Sequence, residues 1–195
     1  MPGVVLDSMN PAGAPSIEEL RASGADGARL VAFPDQRFLD YHNELRAAGL
    51  VTAVVLARES FVATDYAGET EWYAEQCTPD LWVLGNEPDA YLLGVPSPSS
   101  WPMQPPVYAA FWGACAAGIL SVQPDAKLVV GGLVSGQPSW LRELLPLDPV
   151  PWAVDCHPYA KSSEDSRALL RAYALYATDA QVAGAKLVVL EWHRD

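Results

Sequence analysis

At 195 residues the chain is long enough for one domain with a sizeable core. Half of the residues are hydrophobic, which excludes a disordered chain, and only 18% are charged. The formal net charge of −12 argues against a nucleic-acid partner, because a polyanion needs a basic surface, and suits a neutral or weakly charged ligand.

In chain order, strand-like runs alternate with helical spacing. Residues 4–6 are the first apolar run. Ser16 then caps a helix opening Ile17-Glu18-Glu19, where Glu19 completes a capping box. Residues 28–33 are the second run, followed by a helix in which Phe38, Tyr41 and Leu45 share a face. Residues 51–57 and 81–84 are the third and fourth runs. An alanine- and aromatic-rich helix at 107–122 ends before Pro124. The fifth and sixth runs are residues 127–131 and 152–156. A helix at 166–182 aligns Leu169, Leu170, Tyr173 and Tyr176, and residues 186–190 are the seventh run. Gly27, Gly49 and Gly184 sit just before strands, where helices end. Trp72 and Trp112 lie in helical segments and are read as core.

Most of these runs are continuously apolar, as in strands buried on both faces, and strands alternating with helices imply a parallel sheet. No linker or composition shift divides the chain, so residues 1–195 are read as one α/β domain, a (β/α) barrel of the TIM type with seven strands. A doubly wound sheet is the alternative fold. Against it, Leu6-Asp7-Ser8-Met9-Asn10-Pro11 after the first strand lacks phosphate-binding glycines. No apolar run, residues 50–57 included, approaches the roughly 20 residues of a membrane-spanning helix, so no membrane partner is expected. Met1-Pro2-Gly3 leads into the first strand without a basic segment, so no signal peptide is expected in this chain; action in the cytoplasm, or outside the cell after processing, fits equally. Cys77, Cys115 and Cys156 have neither zinc-site nor disulfide spacing and are read as buried thiols.

In a parallel barrel the active site lies at the C-terminal ends of the strands. Polar residues collect there: Asp7 and Asn10, Arg29 and Asp35, Arg58 and Glu59, Asn86-Glu87-Pro88-Asp89, Gly131-Gly132, then Asp155, His157 and Tyr159, and finally Glu191-Trp192-His193. A carboxylate ending a buried strand is costly unless it is paired or put to use. Glu87 and Glu191 each follow a fully apolar strand, and His157 ends the strand before Glu191. A lone Glu87 would be read as a helix cap, and a lone His157 as a satisfied structural residue. Their coincidence at strand ends favours chemistry. Two carboxylates suit acetal cleavage, one protonating the leaving oxygen and the other attacking the oxocarbenium-like centre. Arg29 and Tyr159 are placed to hold the second carboxylate ionised.

Asn-Glu-Pro ending the fourth strand and Glu-Trp ending the seventh resemble the paired motifs of clan A glycoside hydrolases, over the whole chain. The resemblance implies a retaining enzyme with Glu87 as acid/base and Glu191 as nucleophile. Asn86 would bind the sugar 2-hydroxyl. His157 and Tyr159 match a His-x-Tyr pattern of the clan, and Arg29 matches an arginine many members carry on the second strand. His-Pro-Tyr and Glu-Trp look most similar to the β-xylosidase and α-L-iduronidase family. Two features depart from the pattern. Ala57-Arg58-Glu59 lacks the histidine many members place there, and no eighth strand follows Glu191. Direct pairing of the first and seventh strands is expected to close the barrel; the alternatives are completion by a partner chain, giving a homo-oligomer, and two open edges in a destabilised fragment.

The expected substrate is an oligo- or polysaccharide, and no cofactor is implied. Trp192, Trp101 and Tyr91 lie in or near top-face loops and could stack on sugar rings. Two other functions compete. A metal-dependent sugar isomerase or endonuclease would use Asp7, Glu59, Glu87, His157 and Glu191 as ligands. A non-catalytic carbohydrate-binding barrel would need neither Glu87 nor Glu191.

Overall fold

Large apolar and β-branched residues form strands here because they fit a pleated surface covered on both sides. In the computed structural model, residues 5–8, 14–94, 101–157, 159–160, 163–190 and 193–194 are described. The strands are β1 (Val5–Ser8), β2 (Gly27–Val31), β3 (Val51–Leu56), β4 (Leu81–Leu84), β5 (Leu128–Leu133), β6 (Ala153–Cys156), β7 (Tyr159–Ala160), β8 (Lys186–Val188) and β9 (His193–Arg194). The α-helices are α1 (Ile17–Ala22), α2 (Gln36–Ala47), α3 (Tyr66–Gln76), α4 (Pro105–Val122), α5 (Pro138–Leu144) and α6 (Ser163–Val182).

Seven parallel strands form one sheet in the order β1-β2-β3-β4-β5-β6-β8. Period-two alternation gives the sheet two apolar faces. Ala28, Leu30, Val54, Leu56, Trp82 and Leu84 pack in one cluster with helix residues such as Phe38, Tyr73, Trp112 and Ile119. The alternate residues Val31, Ala53, Val55, Val83, Val129 and Ala153 form a second cluster with Leu190. No described helix residue belongs to that second cluster, yet its members are at most 9% exposed. Among the described residues, that face is covered by residues of the strands and their flanking loops.

The expected pairing of first and last strands is not found. Among the described residues β1 ladders only with β2, and β8 only with β6. Width accounts for this: a parallel barrel of the usual tilt and shear closes on eight strands, so seven curl without meeting. β7 and β9 form a separate parallel ladder pairing Tyr159 with His193 and Ala160 with Arg194. Two residues per strand are too few for periodicity to reveal.

The helices follow local chemistry. Ser16 and Glu19 form the expected capping box on α1. Asp35, read above as a strand-end site residue, is instead the N-cap of α2, its carboxylate accepting from the Phe38 N–H at 2.9 Å. α4 is long and apolar enough by composition to span a bilayer. It packs on α3 instead, burying Tyr108, Phe111, Trp112, Cys115 and Ile119, while the Thr70 hydroxyl donates to the Cys115 carbonyl. Trp112 is core as expected. Trp72 is not: it sits on the outer side of α3, 39% exposed, because the neighbouring Tyr73 takes the inward position.

Candidate active site

The site is built where β4 leaves the sheet. After Leu84 the chain turns sharply: Gly85 has φ +84°, which glycine adopts without penalty, and Glu87 has φ +50°, uncommon for a residue with a side chain. Such backbone is kept only where the surroundings over-determine it. Here they do. The Tyr108 hydroxyl donates to the Leu84 carbonyl at 2.5 Å and accepts from the Gly131 N–H at 3.0 Å, bridging β4 and β5 where their ladder stops. Asp89 is buried and accepts from the Val134 N–H, the Ser135 N–H and the Ser135 hydroxyl, tying the β4 loop to the β5 loop. Burial raises the Asp89 carboxyl above its usual range, partly offset by those three bonds. The Trp101 N–H donates to the Asn86 carbonyl at 2.8 Å.

Replacing Tyr108 by Phe is expected to cost about 2–4 kcal/mol of stability, because a buried carbonyl and a buried N–H both lose their partner. Urea unfolding measures this. A change below about 0.5 kcal/mol would show that the bridge does not hold the turn.

Four sequence-predicted residues come together. Arg29 alternates with Ala28 and Leu30 and so faces the helix-free interior. It is fully buried and donates to Asn86 Oδ1 at 2.7 Å. Charge-assisted donation of this kind fixes the amide's orientation. Glu87, 4% exposed, has its Oε1 3.4 Å from His157 Nδ1. Asp155, also inward-facing, accepts at Oδ2 from His157 Nε2 at 3.1 Å and at Oδ1 from the Leu190 N–H at 2.9 Å. Burial alone would push the His157 imidazole down. The charge and hydrogen bond of Asp155, with the bond to Glu87, outweigh burial and the nearby Arg29 guanidinium, and raise it from 6.5 to about 9. The ring is therefore held as an imidazolium, one N–H directed at Asp155 Oδ2 and the other at Glu87 Oε1.

The ring's place depends on a bulge in β5. Val130 pairs with Val154 but Leu133 pairs with Cys156, so β5 carries one extra residue, at Gly131-Gly132. A side chain on Gly132 would collide with the His157 ring, so glycine there is what admits the imidazole.

Two other expected site residues lie away from this cluster. Arg58 and Glu59 are exposed on a short 3-10 turn after β3, which separates Glu59 from the other proposed metal ligands. Asp7 is the Cα partner of Arg29 in the β1–β2 ladder. Trp101 is half-buried, its ring packed against Phe111, Phe61 and Tyr66 at centroid distances of 5.0–6.0 Å. Tyr91 is half-buried and donates to the Gln104 side chain. Tyr159 is described only through its backbone in β7. Asn10, Glu191 and Trp192 lie outside the described residues. Sequence reading missed the roles of Asp155, Tyr108, Asp89 and Gly132. The one available signal was Asp155 standing two residues before His157, on the same face of a strand.

No protein-family model matches the sequence, and no curated protein matches it. Solved structures do match in fold. A glucosidase from Croceicoccus marinus superimposes with a TM-score of 0.73 at 14% identity, over 98% of this chain and 52% of that one. A GH26 β-mannanase from Bacteroides ovatus gives 0.64 at 10% identity, over 98% and 72%. A GH128 oligosaccharide-binding protein from Trichoderma gamsii gives 0.53 at 17% identity, over 84% and 59%. With GH5 endoglucanases also among the matches, the chain shares its fold with the clan A glycoside hydrolases.

Proposed function

We propose that the chain is a retaining glycoside hydrolase acting on oligo- or polysaccharides, with Glu87 as acid/base and Glu191 as nucleophile. The observation that carries this reading is the Glu87–His157–Asp155 array. It places a buried carboxyl group on a constrained turn at the C-terminal end of a strand, beside an imidazole whose other nitrogen is held by Asp155. In the first step Glu87 gives its proton to the leaving oxygen while Glu191 attacks the anomeric carbon. The negative charge left on Glu87 then faces His157, which stabilises the covalent intermediate and keeps Glu87 ready as base for water. Asn86, oriented by Arg29, would donate to the sugar 2-hydroxyl, and Tyr159 and Trp192 would complete the sugar contacts. Leu190 and His193, on either side of the proposed nucleophile, are tied to Asp155 and to Tyr159, which supports Glu191 facing the same site. Carboxyl separation is expected near 5–5.5 Å, as retention requires.

The test is a screen of aryl glycosides, beginning with β-xylosides and α-L-iduronides because of the Glu-Trp and His-Pro-Tyr segments. The product anomer is read by NMR before mutarotation. Retained configuration is expected, and inversion would reject the assignment of Glu191. A non-catalytic sugar-binding role is favoured by the oligosaccharide-binding neighbour, since fold alone does not imply catalysis. Sugar binding without turnover of any substrate would establish it. The mass of the same sample in solution shows whether a second copy completes the sheet between β1 and β8.

A further inference from the structure

Asp155 takes no part in the proton transfers assigned to Glu87 and Glu191, yet it is a buried carboxyl that contacts His157 directly. It is fully buried at the end of β6, and each of its oxygens is committed to a different element. Oδ2 accepts from His157 Nε2 at 3.1 Å, and that ring reaches Glu87 on the turn after β4. Oδ1 accepts from the Leu190 N–H at 2.9 Å, on the stretch that follows β8. A buried carboxyl with both oxygens so engaged fixes direction as well as distance for both partners.

We propose that Asp155 is the positioning residue of this site: one oxygen orients the imidazole that contacts Glu87, and the other holds the backbone N–H of Leu190, the residue preceding Glu191. The inference rests on the glycosidase reading for its kinetic consequence, but not for its structural one. Asp155 touches no reacting atom; it acts through His157 and through the chain. The two bonds couple the segment carrying the acid/base to the segment carrying the nucleophile, so a displacement of one is felt by the other. Among the described residues, the charged groups that act on His157 from other elements are Glu87 after β4 and Arg29 on β2, while Asp155 is the one placed at Nε2.

Asp155→Asn and Asp155→Ala separate the two tasks. Asn can still accept from the Leu190 N–H, but it presents no negative charge to His157. Ala does neither. The chain has three histidines, so its imidazole signals can be assigned by single substitution. In the full-length protein at pH 7, imidazole nitrogen NMR is expected to show His157 as imidazolium in the wild type and as neutral imidazole in Asp155→Asn. On aryl glycosides, Asp155→Asn is expected to lower kcat by roughly 10- to 100-fold with KM little changed, and Asp155→Ala to lower it further. Asp155→Glu, which restores charge with a longer arm, is expected to return the imidazolium signal but only part of the activity. An unchanged His157 signal in Asp155→Asn would overturn the proposal, as would wild-type kcat in a folded Asp155→Ala. If Asp155→Ala does not fold, the isosteric Asn variant still decides. The NMR measurement needs no turnover, so an inactive wild type would reject the glycosidase reading while leaving the tie to His157 tested separately.

Discussion

Replacing Glu191 by Gln is expected to lower turnover by on the order of 10⁴-fold on every glycoside the protein cleaves, and to prevent labelling by a 2-fluoro glycoside. The reason is that a carboxamide cannot form the covalent glycosyl ester on which double displacement depends. Glu87→Ala should behave differently. A good leaving group needs no proton, so formation of the intermediate on activated aryl glycosides should be slowed least and that on alkyl or sugar leaving groups most. Loss of the base then leaves the intermediate to be resolved slowly by water. Azide, which needs no general base, should restore turnover of activated substrates in Glu87→Ala and give a glycosyl azide of retained configuration. The pair of variants is compared by kcat/KM against leaving-group pKa, with product analysis. Equal loss across all leaving groups and no azide product would remove Glu87 from the acid/base role. Labelling of Glu191→Gln at the wild-type rate would remove Glu191 from the nucleophile role.

Much of this arrangement was legible before any coordinates. Strand positions followed from short apolar runs, because a strand buried on both faces has no other composition to offer; residues 81–84 coincide with β4, and β3 differs by one residue at its end. The first helix was readable to its cap, because Ser16 and Glu19 carry the capping box in their identities. Glu87, Asn86, Arg29 and His157 were readable as a group because charge at the end of an apolar strand needs a purpose. What was not readable depends on three-dimensional register. The extra residue in β5 shows only when Val130 and Leu133 are paired against β6, so the bed for His157 on Gly132 was hidden. Asp35 and Asp155 look alike as strand-end carboxylates; one caps a helix and the other organises the site, and only the partner of each oxygen tells them apart. Closure of the sheet depends on strand tilt, which residue types do not encode locally.

Stability should fall as pH rises from about 6.5 towards 9, and His157 should be the cause. Its folded value, near 9, lies above the 6.5 of an unfolded histidine. Between those values the native state holds a proton that the unfolded chain has released, so raising the pH favours unfolding. The contribution is fully present below about pH 6.5. Within the window it is lost at about 1.4 kcal/mol per pH unit, on the order of 3 kcal/mol in all. Asp89, raised by burial, gives a slope of the same sign, so its contribution is taken out by comparison with a variant lacking the imidazole. His42 is pushed down by burial, so its effect is a loss of stability as pH falls below 6.5. Glu19, Asp35 and Asp80 are held low, chiefly by hydrogen bonds, and matter only in acid. The buried thiols of Cys77, Cys115 and Cys156 are raised from 9.0 and begin to destabilise the fold only near that pH. Urea unfolding of the wild type and His157→Gln at pH 6.5, 7.25 and 8 therefore reads the imidazolium as the difference between two profiles. His157→Gln should be less stable than the wild type at pH 6.5 and should show a shallower profile to pH 8. A wild-type profile that is already flat over this range, or a slope equally steep in His157→Gln, would mean that Glu87 and Asp155 do not hold a cation between them, and the charge balance assigned to the acid/base step would fall with it.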